Sequence, residues 1–342
     1  MLLFTPTVPR GVSAHFCAEI PSFLARNRIF LRFLCIAKRV TGHGVNSNIK
    51  MVTVSLHDVF GNVSGLHREG NADVKCISDF TINRSREADG MNTDITIRHT
   101  ANAGVLIKIG RNSVGVDVFS RDPDGLYPDT PDAVRTELLD EIERGSIGTL
   151  LFTHAHGDHF CLEDTAGALE RNPELVVIST EEVVGRLRKA VPGRARMYAV
   201  SAAEKGNVTM QFQGGTAELF NSRHMGENYA GVQNLTVMLK MEGKRIVLPG
   251  DAWPEAELFA RIGAWEREPD VLIVPFPVIG LPSSRRMLAK YLRPAHILAL
   301  HLPRREMDGQ NWSASAKMVC AKAADGLPMP YFGEKPGETC YL

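Results

Sequence analysis

The sequence lacks the features that would place it among nucleic-acid-binding, membrane or disulfide-rich proteins. Its 342 residues contain 39 Lys and Arg against 39 Asp and Glu, so no charge excess favours nucleic acid or an acidic membrane surface as a partner. Only 7% of the residues are aromatic, and no apolar run is long enough to cross a bilayer. With 44% hydrophobic and 23% charged residues, the composition is typical of a globular chain of one or two domains.

The six cysteines are scattered, with no paired spacing and no CxxC motif. Neither a disulfide framework nor a zinc ribbon is therefore expected. Because reduced thiols are usual inside cells, we predict a cytoplasmic protein. Residues 1–57 are basic and poor in acidic residues, which is also typical of organellar targeting segments, so that location stays an alternative.

Residues 1–90 differ in pattern from the rest of the chain. Residues 51–90 show no sustained helical or strand period. We predict that residues 1–90 are an N-terminal extension, either disordered or lying upstream of the true start, for which Met91 is the natural candidate. An amphipathic surface helix within residues 1–57 is an alternative. Residues 91–342 are predicted to form the folded domain.

Potential metal ligands are concentrated in the stretch Thr153–His159, with the sequence THAHGDH. This stretch follows an apolar run that is predicted as a short buried strand. In extended backbone, His154 and His156 point to the same side. A turn that glycine permits then brings Asp158 and His159 back to the same place. His and Asp at this density indicate a metal site.

The same stretch resembles the HxHxDH motif of the metallo-β-lactamase-fold hydrolases. Three later residues are similar to the remaining ligands of that family: His224, Asp251 and His301. The resemblance covers residues 92–342. It implies an α+β fold, the αββα sandwich, in which two sheets pack face to face beneath outer helices.

The resemblance also implies a role for each ligand. One ion would be held by His154, His156 and His224, a second by Asp158, His159 and His301, and Asp251 would bridge the two. Asp158 and Asp251 would also take part in catalysis. We choose His301 over His296 because it lies at the exit of the predicted strand 297–300, as the other ligands lie at strand exits.

Nitrogen and oxygen ligands without thiolate favour Zn²⁺, with Mn²⁺ and Fe²⁺ as alternatives. Two divalent ions about 3.5–4 Å apart can lower the pKa of a shared water towards neutrality. We therefore predict a dinuclear metal-dependent hydrolase that acts on a small ester-type molecule, a lactone or a phosphodiester. The alternative is an iron-dependent oxidoreductase or a metal-binding protein without catalysis. No nucleic-acid or membrane partner is expected.

Other residues near these motifs have weaker assignments. Asp117 is predicted to orient a ligand histidine, with a turn-capping aspartate as the alternative. Asn102 stands where many relatives have a histidine, which leaves its role open. Candidates for a pocket rim, each of which could equally be a solvated surface residue, are Arg223, Glu227, Tyr229, Ser283, Ser284, Arg285 and Arg286.

Overall fold

The computed structural model describes residues 31–40, 45–54 and 94–342, and the chain divides into the units Met1–Gly90 and Met91–Leu342. In the first unit, strands β1 (Leu31–Val40) and β2 (Val45–Val54) pair in antiparallel orientation. The expectations for residues 1–90 fall mainly on residues outside the described ranges, and they stay predictions. Among the described residues, no helix is both long and apolar enough to cross a membrane.

The second unit contains two seven-stranded sheets. The first sheet has the order β16-β3-β4-β5-β6-β7-β8 and the second has the order β15-β14-β13-β12-β11-β10-β9. The strands are β3 (Ile95–Ala101), β4 (Gly104–Ile109), β5 (Asn112–Val116), β6 (Thr149–Leu151), β7 (Val176–Thr180), β8 (Met197–Val200), β9 (Val208–Phe212), β10 (Gly215–Arg223), β11 (Gln233–Met241), β12 (Lys244–Leu248), β13 (Val271–Pro275), β14 (His296–Leu300), β15 (Tyr331–Phe332) and β16 (Thr339–Tyr341).

Each sheet begins with an antiparallel meander and continues with parallel strands. In the first sheet β3, β4 and β5 are antiparallel, whereas β5 to β8 are parallel. In the second sheet β9 to β12 are antiparallel, whereas β12 to β15 are parallel. Parallel neighbours need a crossover connection, and helices supply it here. The helices are α1 (Asp132–Glu143), α2 (Leu162–Arg171), α3 (Glu181–Ala190), α4 (Ala256–Trp265), α5 (Phe276–Gly280), α6 (Pro282–Tyr291) and α7 (Trp312–Lys322).

Side-chain alternation along the strands builds three apolar layers. In β4, Val105 and Ile107 face the second sheet, whereas Leu106 between them packs with the helices outside the first sheet. In β11, Val237 faces the first sheet, and its neighbour Met238 packs with the outer helices of the second sheet. Successive strand residues point to opposite faces, so strands that are apolar on both faces are buried on both. The predicted αββα sandwich is confirmed.

Because both sheets bury apolar side chains on both faces, their strand ends are held firmly. Strands β5, β6, β10, β12 and β14 each end at a loop that carries a predicted site residue. The carboxyl ends of the parallel strands within one sheet lie at the same edge. The fold thus presents side chains from both sheets at one rim of the sandwich.

We expect a chain shortened to Met91–Leu342 to fold as the second unit does, because both sheets and all three apolar layers lie within it. Its Tm should lie within about 4 °C of the full chain's, which corresponds to a change of roughly 1 kcal/mol in a domain of this size. Thermal unfolding followed by circular dichroism measures this. An insoluble product, or a much lower Tm with the full chain behaving normally, would contradict the expectation.

Candidate metal centre

The seven predicted ligands meet at the rim where the two sheets end. His154, His156 and His224 form one group of potential ligand atoms, and Asp158, His159 and His301 form another. Within each group the nitrogen and carboxylate oxygen atoms lie within 4.8 Å of one another. These are the two groups that the resemblance implies.

The carboxylate of Asp251 lies between the two groups. Its Oδ2 is 3.2 Å from His301 Nε2 and 3.8 Å from His224 Nε2, and its Oδ1 is 3.4 Å from His159 Nε2. Oδ1 is buried and has no hydrogen-bond partner among the residues that the structure describes. A buried carboxylate oxygen without a partner is costly, and a cation at this place would remove that cost. The position is the one expected of a bridging ligand.

Hydrogen bonds on the far side of the rings determine which ring nitrogen faces the centre. The Nδ1 atom of His224 donates to the Met225 carbonyl at 2.6 Å. Thr153 donates its hydroxyl proton to Asp117, so it accepts from His154 Nδ1 at 3.0 Å. Each neutral ring therefore presents a lone pair at Nε2. The two Nε2 atoms are 3.3 Å apart, an arrangement that calls for a positive charge between them.

Asp117 supports the centre from below. Its carboxylate accepts from the Thr153 backbone N–H and hydroxyl, both at 2.7 Å, and from His159 Nδ1 at 2.9 Å. The last contact confirms the predicted position of Asp117 behind a ligand histidine. Carboxylate partners of this kind fix the ring orientation and raise the basicity of a metal ligand.

Asn102 has a place in the centre that its sequence position did not reveal. Its side chain is buried, and Nδ2 donates to Asp158 O at 2.8 Å and to Asp158 Oδ2 at 3.1 Å. The backbone carbonyl of Asn102 accepts from the His301 backbone N–H at 3.1 Å. Asn102 therefore holds two of the candidate ligands in place. No pattern within one strand could show this, because the partners lie far away in the sequence.

Three non-glycine residues at the centre have left-handed backbone: Asn102 (φ 44°), Asp117 (φ 51°) and His301 (φ 62°). Such conformations cost free energy in residues with a Cβ atom, and they persist where surrounding contacts determine them. Each of the three makes the contacts given above. The strain is thus located where side chains from different strands must be brought together.

Asn234 and Gly250 join the Asp251 loop to the rest of the centre. Asn234 accepts from the Asp251 backbone N–H at 3.1 Å and donates to the Pro249 carbonyl at 3.0 Å. A Cβ atom at Gly250 would lie 2.5 Å from Asn234 Oδ1 and 2.9 Å from Thr153 Cβ. Only glycine lets the loops from the two sheets come this close.

Tyr127 lies against the second group of ligands and was not among the predicted site residues. Its ring centroid is 4.1 Å from that of His301, in an edge-on arrangement. Arg304 Nε donates to the Tyr127 carbonyl at 2.8 Å, and the Arg304 backbone N–H donates to Leu126 O at 2.8 Å. Residues just beyond His301 therefore hold this loop over the centre.

The remaining predictions can be compared with the structure one by one. His296 is exposed at the start of β14, whereas His301 lies beyond its other end, as expected. Tyr229 lies at the rim, with its ring centroid 5.0 Å from that of His156. The rim assignment is wrong for Ser284 and Arg285, which are buried in α6. Arg285 pairs there with Asp325 at 2.7 Å because a buried guanidinium needs a carboxylate partner.

Charged side chains in the centre shift one another's pKa. Burial favours the neutral ring of His159, but Asp251 and Asp158 outweigh it and raise its pKa. Asp251 and Asp158 likewise raise the pKa of His301 against the effect of burial. Burial opposes ionisation of Asp158, yet His159 and His301 hold its pKa below the usual range. In the metal-free protein the ionised carboxylates therefore favour the protonated form of this pair of rings, and the two Nε2 atoms, 3.0 Å apart, can share one proton.

No family model matches the sequence, and no curated protein is similar to it in sequence. Solved structures are similar in shape. YhfI from Bacillus subtilis, described as a metallo-beta-lactamase fold protein, has 14% identity and a TM-score of 0.50, with 73% of this chain and 100% of that chain covered. The described domain has the metallo-β-lactamase fold.

Two further structures are similar in shape. CmlA from Streptomyces venezuelae, described as a diiron beta-hydroxylase, has 15% identity and a TM-score of 0.50, with 74% of this chain and 54% of that chain covered. Igni18 from Ignicoccus hospitalis, described as a novel metallo hydrolase, has 18% identity and a TM-score of 0.48, with 73% of this chain and 99% of that chain covered. At such identities the metallo-β-lactamase fold is established, but the reaction is not.

The residues present fit a pair of divalent ions. All donors are imidazole nitrogens and carboxylate oxygens, which suit Zn²⁺, Mn²⁺ and Fe²⁺. The unpartnered oxygen of Asp251 and the facing Nε2 atoms of His154 and His224 are the observations that call for cations. Ions would lie between ring nitrogens that are already turned towards them.

We expect the zinc-loaded protein to bind about two ions per chain, because the ligand atoms exceed what one four-coordinate site can use. His301→Ala should lower the content to about one ion. His296→Ala is the matched control and should keep both, since it changes the same residue type at the other end of β14. Elemental analysis after removal of free metal measures the content. Loss of metal in His296→Ala but not in His301→Ala would show that the wrong histidine was chosen.

Metal binding should release protons. The pKa values of His159 and His301 are raised in the metal-free protein, so at neutral pH this pair holds a proton beyond those of two neutral rings, whereas ligand imidazoles must be neutral. Zinc affinity should therefore rise with pH through the neutral range, about tenfold per pH unit for each proton displaced. Calorimetry in buffers of different ionisation enthalpy counts those protons. Binding with no proton release at pH 7 would contradict the assignment of these two ligands.

Proposed function

We propose that this chain is a metal-dependent hydrolase that holds two divalent ions and cleaves a small ester-type substrate, a lactone or a phosphodiester. The observation that carries the proposal is the pair of ligand groups joined by Asp251, with Nε2 atoms of His154 and His224 facing each other at 3.3 Å. When bound, two such ions supply Lewis acidity and a water activated at neutral pH. Zn²⁺ is the first choice, and Mn²⁺ and Fe²⁺ are the alternatives.

Asp158 has the properties of the residue that would receive a proton from the attacking water. Its carboxylate is partly exposed, whereas Asp251 is buried. His159 and His301 keep its pKa low despite burial, so it is ionised at neutral pH. Asn102 donates to Oδ2 at 3.1 Å and fixes the orientation of the group. A carboxylate that is held in place and open to solvent can move a proton as the reaction proceeds.

Asp251 would have a different role. It is buried and lies within 3.2–3.8 Å of three ligand rings, so its charge balances cations on both sides. We propose that it holds the ions and does not exchange protons with solvent. The two aspartates, both within the same centre, would thus differ in function because Asp158 belongs to one ligand group and accepts from Asn102, whereas Asp251 lies between the two groups.

An oxygen-dependent iron enzyme is the second candidate. CmlA has the same fold at a TM-score of 0.50 and is described as a diiron enzyme, and the ligand types of this chain suit Fe²⁺ as well as Zn²⁺. Under this alternative the iron-loaded protein would consume oxygen with a suitable substrate. Under the hydrolase proposal, the zinc-loaded protein would cleave esters without oxygen. A metal-binding protein without catalysis would do neither.

The test is a hydrolysis screen of lactones and phosphodiesters on the protein loaded with Zn²⁺ or Mn²⁺, with Asp158→Asn and Asp251→Asn beside it. Asp158→Asn should lower kcat at least about tenfold, since an amide cannot accept the proton. Asp251→Asn should reduce metal content more than Asp158→Asn does, because an amide cannot neutralise two ions.

Asp140→Asn in α1 is the matched control, with a side chain that is 47% exposed and that forms, among the described residues, an ion pair with Arg171 at 3.5 Å. Its kcat and Tm should equal those of the unchanged protein. Full activity in Asp158→Asn would remove Asp158 from the mechanism. If neither the zinc-loaded nor the manganese-loaded protein cleaves any of the lactones or phosphodiesters, the hydrolase proposal is wrong.

A further inference from the structure

The exposure of the ligands shows where the centre opens to solvent. His154 and His159 are fully buried, and His224, Asp251 and His301 are nearly so. Only His156 and Asp158 of the seven are partly exposed. A substrate must therefore approach from the side of these two residues, and groups beside them are placed to contact the part of the substrate that does not react.

Tyr229 occupies that side. Its ring centroid is 5.0 Å from that of His156 and 5.4 Å from that of His224, and 49% of the residue is exposed. A short 3-10 turn, Glu227–Tyr229, holds it, with Tyr229 N–H donating to the Gly226 carbonyl at 3.0 Å. Gly226 has φ 85°, which only glycine adopts readily, and this starts the turn. The ring is a fixed aromatic surface at the entrance.

Arg223 directly precedes His224 in the chain, and Trp253 lies two residues after Asp251. Beyond the ends of β10 and β12, His224 pairs with Ala252 in an isolated antiparallel bridge, and Trp253 N–H donates to the Arg223 carbonyl at 2.6 Å. The Arg223 guanidinium lies 5.0 Å from the centre of the Trp253 ring. Both residues are partly exposed. The exposed fraction is 44% for the Arg223 side chain and 36% for the whole of Trp253.

The ion pair that the Arg223 guanidinium makes among the described residues is a weak one. The acid nearest to it in the ion pairs is Glu227, at 3.9 Å with 89% of its side chain exposed, a contact that solvent weakens strongly. A guanidinium whose face lies on an aromatic ring keeps the N–H groups of its edge free. That edge is suited to a carboxylate or phosphate, which it can bind with two parallel hydrogen bonds.

We propose that Arg223, Tyr229 and Trp253 form a rim subsite that binds an anionic substituent of the substrate, a carboxylate or a phosphate, beside a flat group that stacks on Tyr229. The inference rests on the proposed hydrolytic function. It narrows the substrate to esters or lactones that carry a negative charge away from the bond that is cleaved. Exposed aromatic side chains beside a candidate active site can supply such binding.

Binding is tested by calorimetry on the zinc-loaded full chain with three probes: benzoate, phenyl phosphate and the neutral benzamide. At least one anion should bind about tenfold more tightly than benzamide, since hydrogen bonds to charged groups are the stronger ones. Arg223→Gln should remove that preference. The preferred anion tells whether a carboxylate or a phosphate is recognised. Tyr229→Leu should weaken all three probes, because each has a ring to stack.

Arg111→Gln is the matched control, since Arg111 is exposed in the turn between β4 and β5, at the end of β5 away from Asp117. It should bind the probes as the unchanged protein does. If Arg223→Gln also binds both anions unchanged, the anions are held by the metal ions alone and the proposal is overturned. If Tyr229→Leu binds benzamide unchanged, the stacking surface is overturned. Thermal unfolding confirms that each variant is folded.

Kinetics separate this inference from the proposed function. The substrates are 5-oxotetrahydrofuran-3-carboxylate and its neutral primary amide, which share the lactone ring. Arg223→Gln should lower the ratio of kcat/KM for the acid to that for the amide about tenfold, through KM for the acid. If the unchanged protein cleaves both but the variant keeps the same ratio, the rim subsite fails and hydrolysis stands. If the unchanged protein cleaves neither compound, these lactones are excluded as substrates. The calorimetry with the three probes still decides whether the rim subsite exists.

Discussion

The structure of this domain depends on a set of nitrogen lone pairs and carboxylate oxygens that face one another in a buried place. His154 and His224 bring their Nε2 atoms to 3.3 Å, and His159 and His301 bring theirs to 3.0 Å. Like groups of this kind repel unless a proton or a cation lies between them. Two metal ions would satisfy the arrangement, and the hydrogen bonds behind the rings keep the nitrogens in place before any ion arrives.

Folding of the two sheets offsets the free energy that this arrangement costs. The candidate ligands stand on loops that leave strands of both sheets, and those strands bury apolar side chains on both faces. Burial of this kind is the main favourable contribution to folding. It offsets the left-handed backbone at Asn102, Asp117 and His301. A single sheet could not do this, because Thr153 and Asn234 connect loops from opposite sheets and both are fully buried.

The sequence was sufficient to predict the fold and to select the candidate ligands, through local patterns together with the resemblance to a known family. The alternation of Ile95–Arg98 in β3, the apolar run before His154, and a glycine that permits a turn are each visible within ten residues. His301 could be preferred over His296 because one lies at a strand exit and the other at its entrance, and the structure agrees with that placement. The assignment of metal to these ligands stays a prediction.

What the sequence could not reveal are contacts between distant segments. Asn102 supports Asp158 across 56 positions, and Arg285 pairs with Asp325 across 40. Neither residue belongs to a periodic pattern, and the polar character of Arg285 predicted a surface position. Tyr127 was missed for the same reason, since its place beside His301 depends on Arg304, 177 positions away. Tertiary contacts decided each of these positions, against the local preference in the case of Arg285.

The candidate ligands are held at strand ends, whereas other residues around the centre lie on loops. This difference explains why the fold does not determine the reaction. The ligands are fixed by the sheets, so proteins with this fold can hold similar ions and still differ in chemistry. Substrate choice must then come from residues that the sheets do not fix, such as Tyr127 and Tyr229, which lie at opposite ends of the centre against His301 and His156. A change at either tyrosine alters what reaches the ions without moving a ligand. Under the proposed function, substrate selectivity would depend on these loops, whereas metal binding would depend on the strand ends that hold the candidate ligands in place.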